Sequence, residues 1–224
     1  MREIVLDTET TGLAWADDDR IVEIACIELI NHLPTGKFFH RYVNPERAVS
    51  EEARRVHRLE GDFLRKHPPF PTIADELLVF LADATLVIHN AEFDLGFVNA
   101  ELRRCEKPPL ALAVVDTLLL ARRKFPGSPA NLNALCDRLK IDRSRRDDDG
   151  HGAKLDCELL AKVYLELIGG RQSALDLGAL AARAASRAAS ERPARAPRHY
   201  APSADELAGH AALVAKLKAP IWQG

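Results

Sequence analysis

Apolar and polar residues follow two different patterns over the first 168 residues, one typical of strands and one typical of helices. EIVLDT (3–8), IVEIACIELI (21–30) and KFFHRYV (37–43) are short runs rich in β-branched and aromatic residues, which is typical of strands. Only short polar stretches separate them. The pattern therefore predicts three consecutive antiparallel strands.

Further along, strand-like runs interleave with apolar residues at helical spacing, as at Ile73, Leu77 and Leu81. The elements predicted here are a helix over 72–83, a strand over 85–90, a helix over 92–104, a strand over 113–117, and helices over 132–139 and 153–168. Interleaved strands and helices indicate the α/β class. We expect a five-stranded mixed sheet flanked by helices.

The composition changes after Gly169-Gly170, where a stretch rich in Ala, Arg, Ser and Pro begins. Residues 1–170 are predicted to form the folded domain. Residues 171–203 have too few large apolar side chains to build a core, so we expect a flexible linker. Residues 204–224 carry apolar residues at helical spacing, followed by Trp222. Such a segment needs a surface on which to pack.

The overall composition, 47% hydrophobic and 29% charged residues, is that of a soluble globular protein. No apolar stretch approaches the roughly 18 residues of a membrane span, and the amino terminus shows no secretory signal. We therefore expect a cytoplasmic protein with no membrane partner. Its four scattered cysteines suggest neither a disulfide framework nor a zinc site. The net charge of −2 argues against nucleic-acid binding by bulk positive charge, although a local basic groove or bound cations could serve.

Two acids end the first predicted strand. Asp7 and Glu9 are two residues apart, so they share one face of a strand. Two carboxylates about 4 Å apart at an effective dielectric near 20 repel each other by roughly 4 kcal/mol. A bound divalent cation would remove this cost, and carboxylate oxygens suit Mg²⁺ or Mn²⁺. The alternative is that both acids cap turns or face water.

Two later stretches add the remaining candidates. LVIHNAEFDLGF (86–97) places Asp94 in the first turn of a predicted helix, and His89 is expected to be a structural hydrogen-bonding residue. DDDGHGAKLDCELL (147–160) places His151 on a glycine-flanked loop, five residues before Asp156. Four acids and one histidine are the groups that a two-metal phosphodiester hydrolase needs. His151, with an ordinary pKa near 6.5, could act as the general base.

At these residues the sequence resembles the DEDDh 3′→5′ exonucleases. DTETTG, HNAEFD and HGAKLD match the three motifs of that family in order. The resemblance covers residues 1 to about 168 and implies a ribonuclease H-like fold. It also implies two divalent metal ions, Mg²⁺ or Mn²⁺, on Asp7, Glu9, Asp94 and Asp156, with His151 as the general base.

Within that family the chain is most similar to the proofreading subunits of bacterial DNA polymerase III. The similarity around SEEARRVHRLEGDFL implies that Glu52 and His57 contact the 3′-terminal nucleotide. Thr10, Leu13 and Phe93 are expected beside the substrate, with core packing as the alternative for Leu13 and Phe93. Without the family, His57 would be interpreted as a surface histidine.

The tail resembles two docking segments of the same proteins. QSALDL (172–177) is similar to a peptide that binds the sliding clamp, and the residues implied in that contact are Gln172, Leu175 and Leu177. Residues 204–224 are similar to the segment that binds the polymerase III catalytic subunit. The residues implied in that second contact are Leu207, His210, Leu217 and Trp222.

The resulting hypothesis is a bacterial exonuclease of the nucleoid-associated replisome that removes mispaired 3′-terminal nucleotides from DNA. It would act on single-stranded or frayed primer ends and release 5′-mononucleotides. One alternative is a 3′→5′ exoribonuclease of the same family, which would have no need of clamp and polymerase tethers. Another is a non-catalytic replisome adaptor, which the intact set of four acids and one histidine disfavours.

Overall fold

A five-stranded mixed sheet forms the centre of the fold. The computed structural model describes residues 1–170 and 201–217. The strands are β1 (Arg2–Thr10), β2 (Ile21–Ile30), β3 (Leu33–Tyr42), β4 (Thr85–Ile88) and β5 (Val114–Asp116). They are arranged in the order β3-β2-β1-β4-β5. β1 to β3 are antiparallel, whereas β4 and β5 run parallel to β1. The predicted mixed sheet and its antiparallel meander are confirmed.

Eight helices accompany the sheet in residues 1–170. They are α1 (Glu51–His57), α2 (Gly61–Leu64), α3 (Phe70–Leu81), α4 (Ala91–Arg104), α5 (Thr117–Lys124), α6 (Leu132–Leu139), α7 (Ser144–Asp149) and α8 (Ala153–Leu167), and a 3₁₀ turn spans Trp15–Asp17. The four predicted helices correspond to α3, α4, α6 and α8. The remaining four were not predicted, since each is short and lacks a long periodic apolar face.

The two faces of β1 serve different layers. Ile4 and Leu6 belong to an apolar cluster with residues of α3 and α4, among them Phe70 and Phe97. Val5 belongs to a second cluster on the other face, with residues of α6 and α8. Both faces of the central strands are therefore covered, which explains their almost continuous apolar sequence.

The alternation of β1 also fixes where its polar residues point. Asp7 and Glu9 continue the face of Val5 and so lie on the side of α8, whereas Thr8 continues the face of Ile4 and Leu6 toward α4. β1 therefore contributes core residues and also points Asp7 and Glu9 toward α8 and Thr8 toward α4.

The structure divides into two units, one ending at Ala174 and the other beginning at Leu175. In the second unit a helix spans Ala204–Val214, and Ser203 and Glu206 form a capping box at its start. Leu207 and Leu217 are exposed. Residues 171–200 of the predicted linker, the predicted clamp-binding residues Gln172, Leu175 and Leu177, and Trp222 lie outside the described residues. In the ranges that are described, no helix is both long and apolar enough to cross a membrane.

Candidate active site

The candidate site forms where β1 and β4 end side by side. Because these strands are parallel, their carboxyl ends meet at the same edge of the sheet. α4 starts at Ala91, directly after β4, and its first turn contains Asp94. α8 packs on the sheet from the other side, and its first turn contains Asp156. Both acids lie near the positive end of a helix, which stabilises a carboxylate.

Asp94 is buried, with 3% of its surface exposed. Thr8 Oγ1 donates a hydrogen bond of 2.7 Å to its Oδ1, so the hydroxyl of β1 orients the acid of α4. Burial raises the pKa of Asp94 to about 7, although the hydrogen bond from Thr8 opposes the shift. The folded protein therefore holds this carboxyl close to its titration midpoint at neutral pH.

The acids of β1 are perturbed in the same direction. Burial raises the pKa of Asp7 well above its ordinary value, and the carboxylates of Asp94, Asp156 and Glu9 raise it further. Burial also raises the pKa of Glu9, with Asp156 as its strongest charged neighbour. The four predicted acids therefore share one electrostatic site, and their mutual repulsion favours a positively charged partner.

Three of these side chains come together closely enough to share an ion. Glu9, His151 and Asp156 each offer a ligand atom, and the three atoms lie within 4.8 Å of one another. The carboxylate oxygens of Glu9 and Asp156 suit Mg²⁺ or Mn²⁺, which prefer oxygen ligands, whereas an imidazole nitrogen is more typical of zinc sites. The donor set of this site thus suits a divalent cation.

His151 is held by two neighbouring segments and is less free than its glycine-flanked loop suggested. Its backbone N–H donates to the carbonyl of Val56 at 3.1 Å, and its Nδ1 lies 3.9 Å from Asp156 Oδ2. Partial burial and the positive charge of Arg146 lower the pKa of the imidazole. A lowered pKa favours the neutral imidazole, which is the form that a general base requires.

Arg146 is part of the site and was missed by the sequence analysis. Its guanidinium donates to Asp156 Oδ1 at 2.5 Å and to Oδ2 at 2.6 Å, and the residue is only 7% exposed. It lies in the run RSRRDDDG, which local pattern would place in solvent. The sequence feature that could have revealed Arg146 is this charged run next to the motif HGAKLD.

A cavity of about 230 Å³ adjoins the acids. Its lining includes all five predicted substrate residues, Thr10, Leu13, Glu52, His57 and Phe93, together with Glu9. Leu13 is 85% exposed, so the core-packing alternative is wrong for this residue. Phe93 both lines the cavity and packs against Phe97, with ring centroids 4.9 Å apart. Contact of these five residues with a nucleotide stays a prediction.

His57 is buried, with 4% of its surface exposed, so its interpretation as a surface histidine is wrong. Its Nδ1 accepts a hydrogen bond from the backbone N–H of Leu59 at 3.0 Å. Its Nε2 is buried and makes no hydrogen bond of normal geometry among the described residues, although the backbone of Thr10 partly offsets the lowering of the pKa of the ring by burial. Since the residue lines the cavity, this nitrogen is a polar group that a ligand can satisfy.

By contrast, His89 Nδ1 lies 2.9 Å from Thr117 Oγ1, which fits the structural role expected for it.

Comparison with known proteins assigns the family. A family model described as an exonuclease, of the RNase T type, matches residues 4–164. The DNA polymerase III subunit epsilon of Rickettsia conorii is 52% identical over 181 residues, covering 79% of this chain and 78% of that protein. The subunit epsilon of Escherichia coli is 44% identical over 180 residues, covering 77% and 73%. The chain belongs to the exonuclease family of the DNA polymerase III epsilon subunits.

Solved structures show that the fold of this chain is that of known exonucleases. Exonuclease X in complex with 5′-overhanging duplex DNA has a TM-score of 0.57 and 25% identity, covering 74% of this chain and 90% of that one. Escherichia coli exonuclease I in complex with a dA16 oligonucleotide has a TM-score of 0.66 at 18% identity, covering 76% and 41%. The latter likeness concerns the fold alone. Together they confirm the expected ribonuclease H-like architecture.

Arg58, next to His57, has a left-handed backbone conformation. Its φ is +59°, a conformation that costs a side-chain-bearing residue about 1–2 kcal/mol. Its Nη1 donates to the carbonyl of Asp148 at 2.7 Å. Arg58 thus links the turn after His57 to the segment before His151.

Proposed function

We propose that this chain is the proofreading exonuclease of a bacterial DNA polymerase III and hydrolyses mispaired 3′-terminal nucleotides of DNA to 5′-mononucleotides. The observation that carries the proposal is a cluster of four acids and His151, one of which, Glu9, also lines a cavity with Leu13, His57 and Phe93. The proposed hydrolytic centre therefore lies next to a cavity that can hold the 3′ end of one DNA strand.

The acids are the proposed ligands of two divalent cations, Mg²⁺ or Mn²⁺. When bound, two such cations would lower the pKa of an attacking water and would stabilise the leaving oxygen of a phosphodiester. Asp7, Glu9, Asp94 and Asp156 supply the oxygens that hold them, and His151 takes the proton of the water. Its lowered pKa supports this role, because the imidazole is then neutral when the reaction begins.

The cavity supports selection of a frayed end. Leu13, Val56 and Phe93 offer apolar surfaces on which a base can stack, while Glu52 and His57 offer polar atoms for the terminal nucleotide. A paired end has to be unpaired before it enters, and a mispaired end costs less to unpair. The preference for mismatches then follows from the lower cost of unpairing a mispaired end as much as from the contacts in the cavity.

The tail is proposed to tether the enzyme to its partners. The C-terminal helix exposes Leu207 and, just beyond it, Leu217, which supports docking of an apolar helix on the polymerase III catalytic subunit. Residues 172–177 would bind the sliding clamp. Such tethers raise the effective concentration of the exonuclease near the primer end, and they place the protein in the bacterial replisome at the nucleoid.

The first experiment is digestion of three 5′-labelled primers, namely a paired DNA, a DNA with a 3′ mismatch and an RNA, with Mg²⁺, Mn²⁺ or chelator. We expect metal-dependent loss of single nucleotides, fastest at the mismatch. Asp7→Ala should abolish cleavage, whereas Asp83→Asn, an exposed acid between α3 and β4, should not. Faster digestion of the RNA would favour an exoribonuclease, and no cleavage by the wild type would favour an adaptor.

The tether is tested separately from the chemistry. Changing Gln172 and Leu175 to alanine should weaken binding to the clamp while cleavage of a free oligonucleotide is unchanged. Truncation before Ser203 should release the polymerase subunit in a pull-down. Unchanged clamp affinity, or continued association of the truncated chain, would refute the corresponding part of the tail assignment.

A further inference from the structure

Arg146 lies within the acidic site and contacts two of its functional groups. Its Nε and Nη2 bind the two carboxylate oxygens of Asp156 side by side, and Nη2 also lies 3.0 Å from His151 Nδ1. Its Nη1 donates to Asn133 Oδ1. All three guanidinium nitrogens therefore have partners, and the group is fixed between α6 and the first turn of α8.

The charge of Arg146 opposes that of the acids. Its positive charge attracts the carboxylates of Asp7 and Glu9, against their repulsion by the neighbouring carboxylates. Arg146 therefore does within the protein part of what a bound cation would do. It neutralises a cluster whose members otherwise repel one another.

Arg146 and a divalent cation compete for Asp156. Both oxygens of this carboxylate already accept hydrogen bonds in a two-pronged pair, which is a strong and geometrically specific contact. A metal ion bound to either oxygen would lie close to a fixed positive charge, and the two cations would repel each other. Binding of the metal therefore favours departure of the guanidinium from Asp156.

The same contact determines the protonation of His151. Arginine donates hydrogen bonds and accepts none, so His151 Nδ1 must be the acceptor. The hydrogen of the neutral imidazole is then on Nε2, and its one accepting nitrogen is occupied by Arg146. His151 cannot take a proton from water in this arrangement. Departure of Arg146 would free Asp156 as a ligand and His151 as a base in one movement.

We propose, on the basis of the metal site proposed above, that Arg146 is an internal counter-cation that divalent metal displaces, so that metal loading and activation of His151 are coupled. Arg146 is in this sense a positioning residue that acts through Asp156 and His151. Its location favours such a movement, since α7 has six residues and is followed by Gly150 and Gly152.

The test is direct measurement of Mn²⁺ affinity by calorimetry on the full chain at pH 8. Arg146→Met removes the charge and all hydrogen-bond donors at similar length, and Mn²⁺ should bind about tenfold more tightly or better. Arg145→Met is the matched control, because Arg145 is 73% exposed and lies 3.7 Å from Glu158; its affinity should stay within about twofold of the wild type. Equal or weaker binding to Arg146→Met would overturn the proposal.

Two further measurements keep the test decisive. Arg146→Lys retains the charge but cannot form the two-pronged pair, so it should be folded and bind Mn²⁺ with intermediate affinity; it decides the matter if Arg146→Met does not fold without metal. Nitrogen chemical shifts of the His151 ring should show the Nε2–H tautomer in chelator and change on addition of Mg²⁺. Nitrogen chemical shifts of the His151 ring that do not change on addition of Mg²⁺ would contradict the coupling between metal binding and the activation of His151.

The outcomes separate this proposal from the metal site on which it depends. Mn²⁺ binding by the wild type that Arg146→Met leaves unchanged would overturn the displacement and leave the metal site standing. Failure of every variant to bind Mn²⁺ would overturn both. Binding by Arg146→Met alone would be the strongest support, since it would show that the guanidinium holds the place of the cation.

Discussion

Replacing Asp94 with asparagine should stabilise the metal-free protein while removing a proposed ligand. Asp94 is buried, and its pKa of about 7 lies far above the ordinary value of 3.8. An asparagine at this position can still accept the hydrogen bond from Thr8 Oγ1 through its own Oδ1. The substitution therefore removes the buried charge and keeps the contact that orients the side chain.

The size of the effect follows from the pKa shift. Between about pH 4 and pH 7 the folded protein retains a proton on Asp94 that the unfolded chain has released, so stability falls as the pH rises through this window. A shift of about 3 units corresponds to about 4 kcal/mol once the pH exceeds 7. Between pH 5 and pH 8, the wild type should lose about 3 kcal/mol more of its unfolding free energy than Asp94→Asn.

Urea unfolding in chelator at pH 5 and pH 8 measures this difference. Asp83→Asn serves as the control, because it removes an exposed acid and should change neither value by more than about 0.5 kcal/mol. Excess Mn²⁺ at pH 8 should restore stability to the wild type more than to Asp94→Asn. An Asp94→Asn protein no more stable than the wild type at pH 8 would refute the buried-charge explanation.

Three other substitutions test separate features. Tyr164→Phe removes the hydroxyl that donates to the buried Glu3 at 2.6 Å; the unfolding free energy should fall by about 1–3 kcal/mol, and an unchanged urea midpoint would contradict this. Arg58→Gly relieves the strain of a side-chain-bearing residue in the left-handed conformation and should raise the unfolding free energy by about 1 kcal/mol. Arg58→Ala, which keeps a Cβ, should not, and thermal melts of the two variants measure the difference. Phe93→Ala should raise KM for oligonucleotide about tenfold through lost stacking with little change in kcat; an equal KM would refute contact of Phe93 with the substrate.

The sequence was most informative where residues repeat with a regular period. All five strands and the helices α3, α4, α6 and α8 carry an apolar run or face, and their positions were predicted within a few residues. α5 was missed because TLLLARRK follows β5 directly, and its start depends on Asp116, whose side chain accepts from the N–H groups of Leu118 and Leu119. A cap of this kind leaves no periodic signal.

The candidate site divides in the same way. The three acidic motifs were evident because each follows a strand or starts a helix. Arg146 and the burial of His57 were not evident, since both depend on tertiary contacts. Arg146 is buried by Asp156 and Asn133, and His57 lies at the end of a short polar helix. Local pattern places both in solvent, and tertiary contacts decide otherwise.

The alternation along β1 ties catalysis to folding. If β1 slipped by one residue against its neighbours, Asp7 and Glu9 would enter the layer of Phe70 and Phe97, and Ile4 and Leu6 would leave it. Such a chain would lose its core together with its acids. A molecule that has folded around this core therefore carries Asp7 and Glu9 on the side of α8, so a simple stability measurement also reports that this half of the candidate site is assembled.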